Sequence, residues 1–480
     1  MPSQKRYVVL VPAPLQGHIT PILQLGTILE SRGFSIIVAH SDYNAPDPKN
    51  HPSFSFLSLS DDEVASYDKS FQNMLMVLVA MNKKYRAKFR DYLVDHMIQN
   101  KVEVEVEDED EDADGVSSGR CVIIYDRIMY CADEVAKELK IPSIVMRPYS
   151  SAYELSRKIV LHLKEVGCLP LPETQIEDMV PELQPFRYKD LPFPQFTTLA
   201  MTTSTNNDGI PEAVTKFWEV THSNGSSQAV IWNTMEEIES EKTLSVLEQY
   251  YQIPFFCIAP IHKMAPQSLK TSLLQEDNSC VEWLDKQSPN SVLYVSLGSI
   301  ATMNENELIE TAWGLAKSEV PFLWVIRKWP NDMMKGNVKL PDHFEEIIGE
   351  RGKIVVWAPQ KEVLAHSAVG GFWSHCGWNS TMESISEGVP MICKPSFSDQ
   401  RINARYVTDI WKVGLQLERS FDRGDVETIV RRLMMDGVEG NAIRKRALDF
   451  NYKFEVSMQK GGCSYESLDK FTEFISSLYM

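Results

Sequence analysis

From Val369 to Cys393 two short apolar runs flank a glycine-containing turn and a helix-like segment, VGGFWSHCGWNSTMESISEGVPMIC, and that order leaves few folds open. Val369 to Ser374 suits a strand buried on both faces, because such strands read as continuous apolar runs. His375-Cys376-Gly377 then turns the chain into Asn379, Ser380, Thr381, Met382 and Glu383. Asn379 or Ser380 is the predicted helix cap, Ser380 and Glu383 have capping-box spacing, and Gly388 supplies the stop. Val389 to Cys393 is the next strand, completing a strand-turn-helix-strand unit. A helix entered through a glycine turn is a ready anion site, because its orphan N–H groups and the positive end of its dipole coincide.

The same alternation recurs along the chain. Tyr7 to Val11 is a short apolar run, Pro12 to His18 is the predicted loop, and Thr20 caps a helix with Pro21 at its first position. Ile22, Leu23, Leu25, Ile28 and Leu29 form that helix's apolar face, Gly33 ends it, and Phe34 to Ala39 is the next strand. A second unit has a strand from Cys121 ending at Asp126, a helix near Tyr130 to Leu139, and a strand over Ser143 to Met146. His18 and Asp126 are therefore predicted at the carboxyl edge of one parallel sheet, where ligands of open α/β sheets bind. Around residues 250 to 275 the pattern is broken by Pro254, Pro260, Pro266 and the polar run Gln275-Glu276-Asp277-Asn278. Beyond it come a strand at Val292 to Leu297, a helix at Glu305 to Ala316 and a strand at Phe322 to Ile326. With 480 residues, 43% of them hydrophobic, the chain has material for two ordinary domains.

Residue by residue, the segment from Trp357 to Gln400 has bland readings too. Glu383 fits a capping role, Trp357, Trp373 and Trp378 fit core or interface packing, and His375 fits a turn hydrogen bond. Their joint order is another matter. It closely resembles the signature box of plant family 1 UDP-dependent glycosyltransferases, small-molecule glucosyltransferases of GT-B fold, from Trp-Ala-Pro-Gln through His-Cys-Gly-Trp-Asn-Ser and Glu-Gly-Val-Pro to Asp-Gln. The resemblance implies two Rossmann-like, doubly wound parallel-sheet domains facing across a cleft. It implies that Trp357 stacks on uracil beside Ala358, that Gln360 contacts the nucleotide, and that His375, Asn379 and Ser380 hold the diphosphate. Glu383 then binds the ribose hydroxyls, Trp378 lines the sugar pocket, and Asp399 with Gln400 grips the sugar. Ser299, after the strand at Val292 to Leu297, matches a phosphate-touching Ser or Thr. Gln400 leans toward glucose, where His often accompanies galactose. The segment Lys394-Pro395-Ser396-Phe397-Ser398 departs from the family's bulkier aromatic pattern.

The resemblance also sets the domain plan: 1–250 for the acceptor, with a flexible acidic loop at 103–119; 251–278 as linker; 279–458 for the UDP-sugar; and 459–480 as a helix, around Tyr465 to Leu478, returning to the first domain. His18, in Gln-Gly-His, matches the family's general base and Asp126 its partner. A neutral imidazole takes the acceptor's proton as its oxygen attacks the anomeric carbon, and a carboxylate on the other ring nitrogen fixes the tautomer. UDP-glucose is then a substrate, and neither metal nor cofactor is needed. The Gln-Gly-His-Ile-Thr-Pro start and the Gly-Gly-Cys-Ser-Tyr-Glu-Ser-Leu end resemble a branch acting on terpenoid, flavonoid, cytokinin and other phenolic or heterocyclic acceptors, aglycones or glycosides. Segments Met74–Phe89, Tyr149–Leu163 and Pro185–Met201 supply candidate apolar lining for the acceptor.

Composition excludes other classes. A net charge of −18 disfavours nucleic acid and anionic membranes as partners. Asp108 to Asp112 contains Asp-x-Asp spacing, but the almost wholly acidic run from Glu103 to Asp114 reads as a solvated loop rather than a metal site. The longest apolar run, Met74 to Met81, is too short to span a bilayer, and eight cysteines without metal-type spacing suit a reduced cytosol. A monomer is expected. A UDP-sugar-binding protein without catalysis would keep the box but lack His18 and Asp126; a dinucleotide oxidoreductase would carry Gly-x-Gly-x-x-Gly after its first strand, which this chain does not. Galactose or xylose as donor sugar and transfer to nitrogen stay open beside O-glucosylation.

Overall fold

Two all-parallel sheets are built around central strands that are apolar and buried on both faces. The computed structural model describes residues 5–60, 74–98, 121–193, 212–266, 271–301, 303–327, 340–417, 422–435 and 437–479. The acidic run and the expected loop at 103–119 lie outside the described residues.

The first sheet contains β1 (Tyr7–Val11), β2 (Ser35–His40), β3 (Ser55–Ser58), β4 (Cys121–Asp126), β5 (Ser143–Arg147), β6 (Ala229–Trp232) and β7 (Phe255–Cys257). Their order is β3-β2-β1-β4-β5-β6-β7, every pair parallel. Strand order therefore reverses between β1 and β4, which pair from Tyr7 with Cys121 to Val11 with Tyr125. The second sheet contains β8 (Val292–Ser296), β9 (Phe322–Val325), β10 (Gly352–Val355), β11 (Val369–Ser374), β12 (Met391–Cys393) and β13 (Gly414–Gln416). Its order, β10-β9-β8-β11-β12-β13, is the doubly wound dinucleotide-fold order, with the reversal between β8 and β11. At each reversal the connections leave in opposite directions, so a crevice opens at the carboxyl ends of the two central strands.

Compact unit one comprises Met1–Leu171, Phe193–Leu273 and Ser457–Met480, and unit two Pro172–Pro192 and Leu274–Val456. The helix Cys463–Ser477 belongs to the first. Its Leu468, Phe471 and Ile475 join a core that includes Val8, Ile124 and Phe256, and Ser464 Oγ donates to the Ala259 carbonyl at 2.5 Å. Pro172–Pro192 was assigned by sequence to the first domain, yet it clusters with unit two. Specific contacts explain this: Arg405 Nε donates to the Pro185 carbonyl at 3.2 Å and faces Asp190 at 3.7 Å, while Phe186 packs edge-on against Tyr406 at 5.3 Å. The rest of the candidate acceptor segment, 194–201, lies outside the described residues.

Two helix starts differ from the sequence prediction. The first helix runs Gln16–Ser31 with Leu15 as N-cap, so His18 lies in its first turn and Pro21 inside it. Thr20 does not cap, because its hydroxyl accepts from Gln16 Nε2 at 2.6 Å. Pro21, lacking an N–H, costs the helix the i to i−4 bond to the Gly17 carbonyl. The helix after β11 runs Trp378–Ser386 and is capped by Gly377, not by Asn379 or Ser380. Cys376 adopts φ 65° and Gly377 an extended conformation, so the chain turns early enough for Asn379 and Ser380 to be helical already.

Unit one also buries an ionic network that local sequence pattern did not announce. Arg147 at the end of β5 donates to Glu154 at 2.9 Å, Arg157 lies 3.4 Å from the same carboxylate oxygen, and His222 Nδ1 contacts Glu154 at 2.5 Å. Burial alone would raise the Glu154 carboxyl, but the two guanidinium groups hold it well below the usual carboxylate range. Charges taken fully out of water persist only when paired in this way.

Candidate active site

At the reversal in the first sheet, β1 leads into the helix carrying His18, and the neighbouring β4 ends on Asp126. His18 Nδ1 lies 2.6 Å from Asp126 Oδ2. The other carboxylate oxygen, Oδ1, accepts the Ile128 backbone N–H at 2.9 Å, which locks the rotamer. Asp126 is 2% exposed and His18 20%, so the imidazole edge reaches solvent while its partner does not. A carboxylate oxygen accepts, so in this contact Nδ1 is the donor, and Nε2 lies on the opposite side of the ring.

At the reversal in the second sheet, β8 leads to Gly298-Ser299 and β11 to His375-Cys376-Gly377. The His375 ring lies against both glycines: a Cβ on Gly298 would approach the ring at 2.5 Å, and one on Gly377 would meet Nε2 at 2.5 Å. Gly298 also has φ 69°, so glycine is needed there twice over. Burial, and then the Arg327 charge, push the His375 pKa down to about 4. The ring is thus neutral near pH 7. The first intrahelical bond after Gly377 runs from Thr381 N–H to the Gly377 carbonyl at 2.9 Å; the N–H groups of Trp378, Asn379 and Ser380 precede that ladder.

Gln360 joins Tyr294, Ser380 and Glu383. Its Nε2 donates to Ser380 Oγ at 2.9 Å and to Glu383 Oε2 at 2.7 Å, and its Oε1 accepts from the Tyr294 hydroxyl at 3.4 Å. Glu383 is therefore a polar-network residue, not a capping one. Burial raises its carboxyl above the ordinary value, against the opposing Gln360 donation and Lys361 charge. Trp357 stays partly exposed, with its carbonyl held by Asp277 N–H at 2.9 Å, and Ala358 is buried beside it. Gln400 Oε1 accepts from the backbone of Ser396 at 2.8 Å and Phe397 at 3.1 Å, directing the amide N–H₂ elsewhere. Asp399 Oδ2 accepts from Asn403 at 2.7 Å.

Two tryptophans take the bland reading. Trp373 is fully buried within the core, and Trp378 is 3% exposed with its ring 6.2 Å from both Tyr406 and Trp411. The Trp378 indole therefore packs in an aromatic cluster at the first turn of its helix.

Three residues of this neighbourhood escaped the sequence reading. Tyr294 orients Gln360; Arg327, just past β9, donates to the carbonyls of Ser299 and, at 2.6 Å, Ala301; and Asn403 holds Asp399. Arg327 stands just past the carboxyl end of a strand, and Asn403 follows Asp399 by one helical turn, so both positions carried a usable signal. Several candidate acceptor residues prove to be core: the helix Met74–Leu93 buries Val77, Leu78, Met81, Tyr85 and Phe89. Among the described residues, no group of three or more His, Cys, Asp or Glu is placed to hold a metal ion, and no helix is long and apolar enough to cross a membrane.

Known proteins resemble this chain over most of its length. The pattern of the UDP-glucoronosyl and UDP-glucosyl transferase family matches residues 8–448. The chain belongs to the UDP-glycosyltransferases. Within that family it is 47% identical over 476 residues to UDP-glycosyltransferase 76E1 of Solanum lycopersicum, covering 99% of this chain and 94% of the relative. It is 41% identical over 480 residues to flavonol 3-O-glucosyltransferase UGT76E12 of Arabidopsis thaliana, covering 99% and 98%. Among solved structures, UGT2 of Phytolacca americana complexed with UDP-2fluoro-glucose and pterostilbene superposes with a TM-score of 0.74 at 25% identity, covering 98% of this chain and 100% of that one. This UDP-glycosyltransferase therefore has the GT-B fold expected from its sequence, and it is a glycosyl-transferring enzyme of the hexosyltransferase kind.

Proposed function

We propose that this UDP-glycosyltransferase transfers glucose from UDP-glucose to a hydroxyl of a small lipophilic plant metabolite, with inversion, giving a β-glucoside. The observation that carries the reading is the His18–Asp126 contact at the reversal of the first sheet. His18 Nε2 takes the acceptor's proton as the oxygen bonds to the anomeric carbon, while the bond from that carbon to the UDP oxygen breaks. Asp126 stabilises the imidazolium so formed. Attack opposite the leaving group inverts the centre. The charge left on UDP is met by His375, Ser299 and the start of the helix Trp378–Ser386, donors already in place before reaction. The scheme requires no metal. Gln400 supports glucose as the sugar. A flavonol glucosyltransferase and a pterostilbene-bound structure among the similar proteins support a phenolic acceptor.

Mass-spectrometric assay of UDP-glucose, UDP-galactose and UDP-xylose against flavonols, stilbenes and terpenoid alcohols tests the proposal. A glucoside should form fastest from UDP-glucose; absence of product from every donor would overturn it. Asp126→Asn should lower turnover of an aliphatic alcohol by about 10²–10⁴-fold and of a more acidic phenol by less, because the phenol needs less help from the base. Equal losses on both acceptors would count against the orienting role.

Binding of UDP-glucose should also report Glu383. The ribose hydroxyls need the carboxylate form, and burial raises the pKa of that group. Acidification protonates it, so affinity should fall with pH, beginning above the ordinary carboxylate range. His375, already neutral, should add no step between about pH 5 and 8. Calorimetry from neutral to acid pH should find the dependence abolished in Glu383→Gln. Tighter binding at lower pH would instead make imidazolium the phosphate partner.

A further inference from the structure

Asn403 is fully buried, one helical turn after Asp399 on the helix Gln400–Arg405. Its Nδ2 makes two hydrogen bonds: to Asp399 Oδ2 at 2.7 Å and to the Cys376 carbonyl at 3.0 Å. A primary amide has two N–H bonds, and both partners are acceptors, so the nitrogen rather than the oxygen must face them. One side chain thereby joins two functional segments. Cys376 is the centre of the turn between His375 and Gly377, and it holds φ 65°, a conformation few non-glycine residues adopt without support. Ser374 Oγ accepts its N–H at 3.1 Å, and Asn403 fixes its carbonyl. The turn is therefore pinned on both sides of the unusual residue.

We propose that Asn403 is a positioning residue for donor-sugar recognition: it holds the Asp399 carboxylate at a fixed place relative to the diphosphate turn, and so sets which hexose is accepted. The inference rests on the reading above of Asp399 as a sugar-hydroxyl partner and of His375–Ser380 as the diphosphate site. The sugar is joined to the diphosphate through one anomeric bond. Once the phosphates are seated, rotation about the C1–O and O–P bonds leaves each sugar hydroxyl a limited reach, and a carboxylate displaced by a fraction of an ångström meets a different hydroxyl or none. Epimers differ only in where one hydroxyl points, so discrimination depends on that distance. Neighbouring residue types would not serve. Leucine has similar bulk and no donor, serine reaches less far, and aspartate would set two carboxylates side by side.

The test separates the sugar from the nucleotide. Asn403→Leu should leave the Kd for UDP within about threefold while lowering kcat/KM for UDP-glucose by about 10–100-fold, and the preference for UDP-glucose over UDP-galactose should shrink by at least about fivefold. Asn403→Ser is the second variant, should leucine disturb folding. In an Asp399→Ala background, Asn403→Leu should add less than about twofold to the UDP-glucose loss, since it acts through a carboxylate no longer present. Penalties that multiply, or UDP and UDP-glucose weakening together in both variants, would overturn the proposal and leave Asn403 as a support of the turn alone. If Asp399→Ala itself leaves UDP-glucose turnover unchanged, the failure lies with the reading of Asp399, and the inference falls with it.

Discussion

His18→Ala is expected to lower kcat by about 10²–10⁴-fold while leaving UDP-glucose affinity within about twofold. An acceptor hydroxyl is a weak nucleophile, and the substitution removes the only group proposed to take its proton. It does so without touching the residues assigned to UDP-glucose, which all belong to the other compact unit. Steady-state kinetics with an aliphatic alcohol acceptor, paired with calorimetry of UDP-glucose, measures both halves. Retained turnover would take His18 out of the mechanism. A large loss of donor affinity would show that the substitution had disturbed the fold, and His18→Gln would then be needed to separate chemistry from packing. Asp126 should remain buried in either variant, held by the Ile128 N–H.

Glu383→Ala should weaken UDP-glucose binding by about 10²–10⁴-fold. The estimate assumes two hydrogen bonds from ribose hydroxyls to a buried carboxylate, each worth about 1.5–3 kcal/mol. Burial raises the pKa of this carboxyl, against the Gln360 donation and the Lys361 charge. Gln360 keeps its bond to Ser380 when the carboxylate is removed, so the nucleotide end should hold its shape. The decisive comparison is with 2′-deoxy-UDP. The native protein should discriminate strongly against it relative to UDP, and Glu383→Ala should bind the two almost equally. Discrimination that survives in the variant would assign the ribose to another residue.

Elements whose burial is two-sided were the most legible. The strand β11 at Val369–Ser374 falls where its apolar run predicts, and β8, β9 and β5 agree to within a residue. Helix starts were less legible, because a cap depends on backbone angles as well as residue type. Thr20 has capping chemistry but spends its hydroxyl on Gln16, and Gly377 caps without any side chain because Cys376 takes the left-handed turn. Residues with both a packing and a ligand reading could be separated only by their surroundings. Glu383 and Trp378 both lie in the helix Trp378–Ser386, yet one enters a polar network with Gln360 and the other an aromatic cluster with Tyr406 and Trp411.

By itself the sequence determined the two α/β series, the membership of the family and the identity of the residues that stand at each sheet's carboxyl edge. Those follow from apolar periodicity and from a fixed order of residue types, both carried by neighbours along the chain. Only the tertiary structure decided which distant residues meet. His18 and Asp126 are far apart in sequence and reach 2.6 Å because β1 and β4 pair at the reversal of strand order. Pro172–Pro192 joins unit two through Arg405, and Asn403 reaches back to Cys376. Such contacts depend on strand pairing and on where a buried polar group finds its partner, and no local window of the sequence contains both sides of the bond.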